Sequence, residues 1–218
     1  MRGLYAIVDT QTLEARRLDP LAFADAVLAA RPAALQLRAK DLPPRDTLAL
    51  LRALAPRARR AGVPLIANDR ADLALLAGCD MVHVGQTDMP VERVRRIAPG
   101  LGVGVSTHTL EQLDAALEAR PAYVAFGPVY PTTSKADAEA VVGPAGVAAA
   151  FERASRAGIP LVAIGGITLA HARELAGTAD AVAVIGALLS TAGADDGAEA
   201  ITARARDLGA PFLPAAAQ

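Results

Sequence analysis

The stretch LIANDRADLALLAGCDMVHVGQTDMP, residues 65–90, holds two short apolar runs that each pass into a polar tip. Between them RADLALLAG is an Ala/Leu-rich segment of helical period, so the stretch reads as strand, helix, strand. Both strands stop next to a carboxylate, Asp69 after the first and Asp88 after the second.

The same unit recurs along the chain. Short β-like runs appear as LYAIVD, ALQLRAK, PLIAND, MVHVGQ, GVGVST, YVAFGP, PLVAIGG and AVAVIGA, and an Ala/Leu/Arg-rich segment follows each. Continuous apolar runs, rather than strictly alternating ones, suit parallel strands covered by helices. Eight such units predict a single-domain (β/α)8 TIM barrel over residues 1–218, with a short C-terminal tail from about 210 that frays at its end. An open doubly wound sheet is the alternative. Thr109-Leu110-Glu111-Gln112 reads as a capping box, and Thr168 as the N-cap of LAHARELAG with Gly177 near its stop.

Composition narrows the function classes. At 218 residues and 53% hydrophobic content the chain can bury one sizeable core. Its 22 Lys and Arg balance 23 Asp and Glu, so no bulk field attracts nucleic acid or an anionic membrane, and an anion needs a local site. The lone Cys79 permits no intrachain disulfide or thiolate cluster and is predicted to be a small buried hydrophobe. The N-terminal apolar run is too short for a signal peptide. The uncharged stretch 181–194 is interrupted by glycine and shorter than the roughly 20 residues of a membrane helix. The expectation is a soluble cytoplasmic protein.

Barrel active sites gather at the C-terminal ends of the strands, and here those ends are polar. In order they present Asp9; Gln36, Arg38 and Lys40; Asn68-Asp69; Gln86 and Asp88; Ser106; GPVYPTTSK; Gly165-Gly166; and Ile185-Gly186. Gln36, Arg38 and Lys40 are two apart and share one side of strand two. Facing inward they aim two cations at the mouth; facing outward, Arg38 and Lys40 snorkel or pair with Asp41. Taken singly, Asp69 reads as a helix N-cap and Asp88 as a turn residue before Pro90. Taken together, on strands about 4.8 Å apart, they converge on one ion. Oxygen donors without a His/Cys cluster select a hard ion, Mg2+. Cations beside Mg2+ predict a diphosphate ester.

Gly165-Gly166 and Gly186 suggest a second anion site after strands seven and eight, tight turns being the plainer reading of those glycines. The long loop GPVYPTTSKADAEAVVG, with Thr132, Thr133, Ser134 and Lys135, is predicted to be a binding lid. His83 reads as a packed core or rim histidine, and His108 as local support for a capping box. The sequence contains no Ser-His-Asp order, P-loop or GxGxxG. A reaction driven by loss of diphosphate, with little proton abstraction, suits this inventory.

At this point the chain resembles the thiamine phosphate synthase family. The likeness runs from GLYAIVD to AVAVIGAL through QLRAKD, NDRADLA, VHVGQTD, VSTHTLEQ, GPVYPTTSKAD, AIGGIT and VAVIGA, in order. It implies a (β/α)8 enzyme that joins 4-amino-2-methyl-5-hydroxymethylpyrimidine diphosphate to 4-methyl-5-hydroxyethylthiazole phosphate. Thiamine phosphate and diphosphate would be the products. Carried over by position, Gln36, Arg38, Lys40, Asn68, Ser106 and Lys135 would hold the pyrimidine diphosphate, and Asp69 and Asp88 would hold Mg2+. Thr132, Thr133, Ser134, Gly166, Ile185 and Gly186 would form the thiazole phosphate site. The family's mechanism is dissociative, through a pyrimidine cation. A homodimer is one option for the assembly.

Two departures stand out: Ser134 where the family often has Thr, and Gly186 where it usually has Ser. The alternatives are a thiazole tautomerase relative, with His108 as the candidate base, and a non-catalytic phosphate-ligand sensor. Retention of Arg38, Lys40, Asn68, Asp69, Asp88 and Lys135 together favours the synthase, because a tautomerase has no diphosphate to hold.

Overall fold

A computed structural model describes residues 1–132, 140–190 and 196–214. Strand β1 (Gly3–Asp9) leads into helices α1 (Thr10–Ala15) and α2 (Pro20–Leu28), and β2 (Ala34–Arg38) into α3 (Pro44–Ala61). There follow β3 (Leu65–Asn68), α4 (Ala71–Ala77), β4 (Met81–Val84), α5 (Val91–Ile97), β5 (Gly102–Thr107) and α6 (Leu110–Glu118). The chain continues with β6 (Tyr123–Phe126), α7 (Gly143–Ala157), β7 (Leu161–Ile164), α8 (Leu169–Leu175), β8 (Ala181–Val184) and α9 (Ala198–Gly209). A short 3-10 turn, Gly186–Leu188, follows β8, and another, Ala210–Phe212, starts the tail, whose residues 215–218 lie outside the described ones.

All strand pairs are parallel, in the order β1 to β8, and β8 pairs back onto β1. That closure makes the protein a (β/α)8 barrel and rules out the open sheet. Parallel strands buried on two faces explain the continuous apolar runs. On β1, Leu4, Ala6 and Val8 face the helices in the large outer core, while Tyr5 joins Ala34, Ile66, Tyr123, Ala125, Val162, Ala181 and Ala183 inside the barrel. With period-2 alternation, the later inward positions of the same strands become polar: Asp9, Gln36, Arg38, Asn68, His83 and Ser106. The barrel is therefore apolar below and wet above, as a site at the C-terminal mouth requires.

Caps set the helix starts. Thr168 and His171 form a reciprocal capping box at α8. At α6 the expected box is displaced by one residue: Thr109 accepts from Gln112 N, but the Gln112 side chain returns to His108 N rather than to Thr109. Among the described residues, no helix is long and apolar enough to cross a membrane. Cys79 is half-buried, and burial, with Asp80 nearby, pushes its thiol up to about 12, in keeping with a packing role.

Candidate active site

β1 and β2 pair with Asp9 opposite Arg38. That register lets Arg38 Nη1 donate to Asp9 Oδ2 at 2.5 Å, with the two side chains only 12% and 4% exposed. The other oxygen of Asp9 accepts from Thr12 N at 2.9 Å and from Thr12 Oγ1 at 2.6 Å, closing the start of α1. Asp9 is thus held by the helix it caps, and it holds the guanidinium in turn. Beside it, Gln36 Nε2 donates to Asn68 Oδ1 at 2.8 Å. Gln36 and Arg38 face the interior; Lys40 lies past the end of β2 and brings Nζ to 3.3 Å from Asp69 Oδ2. Asp41 is taken by the Thr10 hydroxyl rather than by either cation.

Asp69 adopts a left-handed backbone conformation (φ 62°), which Asp tolerates better than most residues, and its N–H donates to His83 O at 2.8 Å. The N-cap of α4 is Arg70, so Asp69 is not a helix cap and its carboxyl is spared for other partners. Asp88 does shape a turn, since its Oδ2 accepts from Gly85 N at 2.7 Å. Burial raises the Asp69 carboxyl above the ordinary carboxylate range; the Lys40 ammonium draws it down, and the adjacent Asp88 carboxylate pushes it up again. Two facing carboxylates form a donor set that a divalent cation would relieve. Among the described residues no group of three or more His, Cys, Asp or Glu gathers, so an ion here would have two carboxylates from the protein. That fits Mg2+, which keeps waters and takes phosphate oxygens.

Deeper in the mouth, Ser106 Oγ lies 2.8 Å from His83 Nε2, and Gln86 Nε2 donates to Ser106 O at 2.6 Å. Sequence reasoning put Asp9, Gln86 and His83 on or near the rim without giving them partners. The signal that identifies Asp9 and His83 is the inward phase of a polar residue in an otherwise apolar strand.

At the opposite side of the mouth, β7 ends in Gly165 and Gly166, both left-handed (φ 92° and 66°). A Cβ on Gly166 would lie 2.5 Å from Pro131 O and 2.7 Å from Tyr130 O, so only glycine permits that approach. Val129 N donates to Ile164 O at 2.9 Å and Tyr130 N to Gly165 O at 3.1 Å, fastening the root of the long loop to β7. The Tyr130 and His171 rings stack with centroids 3.6 Å apart, and His171 Nδ1 lies 2.9 Å from Gly166 O. Thr132 is half-buried at the loop's start; Thr133, Ser134 and Lys135 lie outside the described residues. Ile185 and Gly186 follow β8, and a Cβ on Gly186 would meet nothing within 4 Å. His108 Nδ1 is 2.6 Å from Gly127 O, a support role for the β6 exit.

A family model described as Thiamine monophosphate synthase matches residues 4–188. A thiamine-phosphate synthase of Roseiflexus sp. is 43% identical over 188 residues, covering 85% of this chain and 78% of that protein. One from Chloroflexus aurantiacus is 38% identical over 206 residues, covering 94% and 90%. Among solved structures, a thiamine phosphate pyrophosphorylase from Pyrococcus furiosus superposes with a TM-score of 0.79 at 29% identity, over 94% of this chain and 96% of that one.

Proposed function

The chain belongs to the thiamine monophosphate synthase family, a family of transferases, and on that premise we propose how its residues divide the work. The substrates are 4-amino-2-methyl-5-hydroxymethylpyrimidine diphosphate and 4-methyl-5-hydroxyethylthiazole phosphate. The bond between the pyrimidine methylene carbon and the diphosphate oxygen breaks first, its electron pair leaving with diphosphate. The thiazole nitrogen then gives its lone pair to the resulting pyrimidine cation, and thiamine phosphate forms without a general base.

The observation that carries this reading is the meeting of Arg38, Lys40, Asp69 and Asp88 at one rim, with Lys40 Nζ 3.3 Å from Asp69 Oδ2. Arg38, oriented by Asp9, offers N–H groups to the departing diphosphate, and Lys40 a point charge. Gln36 and Asn68, bonded to one another, present a polar edge to the pyrimidine. Asp69 and Asp88 would hold Mg2+, which when bound supplies positive charge to the leaving oxygens. Thr132, Gly166, Ile185 and Gly186 would hold the thiazole phosphate; Thr133 and Ser134 would join them, and Lys135 would add a cation for the pyrimidine diphosphate, by place in the sequence alone. Positioning and electrostatics, rather than proton transfer, supply the rate.

The test is to mix the purified protein with both substrates and Mg2+ and to follow thiamine phosphate and diphosphate. Equimolar products, lost in the Asp69→Ala/Asp88→Ala double variant, are expected. A folded protein that yields neither product would overturn the assignment.

A further inference from the structure

Below the rim, Tyr5, Tyr123 and His83, which the reaction has not used, form a file that ends on Ser106. Tyr5 Oη lies 2.8 Å from Tyr123 Oη, Tyr123 Oη 2.8 Å from His83 Nδ1, and His83 Nε2 2.8 Å from Ser106 Oγ. The His83 ring stacks on Tyr123 with centroids 5.7 Å apart, and Gly104 leaves room for the phenol, since a Cβ there would lie 2.0 Å from its Cζ. Tyr5 and Tyr123 are 2% and 0% exposed. Burial raises both phenols above the ordinary tyrosine range, so neither gives up its proton.

The direction of the file follows from counting hydrogens, which sets the tautomer by accounting rather than by sight. Among the described residues, the Tyr123 hydroxyl is the only hydrogen-bond partner of the Tyr5 hydroxyl. A buried hydrogen without an acceptor costs more than a hydrogen bond contributes net, so Tyr5 donates to Tyr123. Tyr123 then gives its single hydrogen to His83 Nδ1, which is the bare nitrogen. The imidazole hydrogen sits on Nε2 and goes to Ser106 Oγ, whose own hydrogen stays available to another acceptor. The reverse order strands the Tyr5 hydrogen in the core. A hydrogen on Nδ1 would put three hydrogens into the two links between Tyr5 and Nδ1 and strand one of them.

We propose that Tyr5 and Tyr123 hold His83 as the neutral Nε2–H tautomer and thereby make Ser106 a hydroxyl donor to an acceptor oxygen of the pyrimidine diphosphate. The second half rests on the function proposed above. Tyr5, Tyr123 and His83 are positioning residues; Ser106 alone touches the ligand.

Nitrogen-15 spectra of histidine-labelled protein at neutral pH test the first half, with His83 assigned by a His83→Asn variant. A bare Nδ1 and a protonated Nε2 are expected, and Tyr5→Phe or Tyr123→Phe should move His83 toward a mixture of tautomers. Calorimetric titration with pyrimidine diphosphate and Mg2+ tests the second. Tyr5→Phe is expected to weaken binding about fivefold and Ser106→Ala about tenfold, with no further loss when the two are combined and no change toward thiazole phosphate. A wild-type ring protonated on Nδ1, or fully additive effects of the two variants, overturns the proposal. The expected tautomer in a wild-type protein that does not bind pyrimidine diphosphate overturns the function and leaves the file standing.

Discussion

Asp9 joins Arg38 to helix α1: one carboxylate oxygen accepts from the guanidinium at 2.5 Å and the other from Thr12 N at 2.9 Å. Replacing Asp9 with Ala removes a helix cap and strips a barely exposed cation of its partner. The expected loss is about 2–4 kcal/mol, read by urea unfolding, with Asp9→Asn milder because its amide oxygen still caps α1. An unchanged unfolding midpoint for Asp9→Ala would mean that the pair does not form in solution.

Asp69 and Asp88 are expected to set a pH and metal dependence. The folded carboxyl of Asp69 lies above its unfolded value, first through burial. Its protonated form therefore favours the folded state at acid pH, and that contribution is lost as pH rises through the folded value. Asp69→Asn should then be more thermostable than wild type at neutral pH, the gap closing as pH falls through the carboxylate range. Mg2+ at ten times its dissociation constant should stabilise the wild type by about 1.4 kcal/mol, roughly 3–6 °C in Tm, and should leave Asp69→Asn unmoved. Equal Mg2+ shifts in both proteins would remove Asp69 from the metal site.

Lys40 separates stability from binding. Its side chain is 52% exposed, so its ion pair with Asp69 adds little to the fold. Lys40→Met is expected to change unfolding free energy by less than about 0.5 kcal/mol and to weaken pyrimidine diphosphate about tenfold. Unaltered affinity by calorimetry would show that the ammonium serves Asp69 alone.

Two glycines, one after β7 and one after β8, predict opposite outcomes. Gly166 is left-handed, and a Cβ there meets Pro131 O at 2.5 Å, so Gly166→Ala should lower Tm and weaken thiazole phosphate together. Gly186 faces open space, so Gly186→Ser should fold normally and tighten thiazole phosphate by about 1 kcal/mol, one hydrogen bond. Looser binding by Gly186→Ser would show that the position must stay bare.

The barrel was legible in the sequence because eight apolar runs, each followed by a helical period, leave few other ways to bury both faces of a strand. That Gln36 and Arg38 share one side of β2 was legible from spacing, but which side was not; the nearness of Asp69 to Asp88 was legible, since both follow adjacent strands. Spacing within a strand does not give register between strands, so the pairing of Asp9 with Arg38 stayed hidden until β1 and β2 were aligned. For the same reason His83 read alone as a packed core or rim histidine, and its place in one file with Tyr5 and Tyr123, 118 residues apart from each other, left no mark in the spacing. Asp69 read singly as a cap because Asp before a helix usually is one; its left-handed backbone moved the cap to Arg70.

The fastening of Val129 and Tyr130 to β7 bears on how this enzyme can be rebuilt. Main chain from Gly127 to Pro131 belongs to the scaffold, since Gly165 and Gly166 are moulded against it and the Tyr130–His171 stack clamps it from outside. A graft of the long loop from a relative should therefore be spliced after Pro131. Cutting at Phe126, where β6 ends, would exchange part of that scaffold along with the loop.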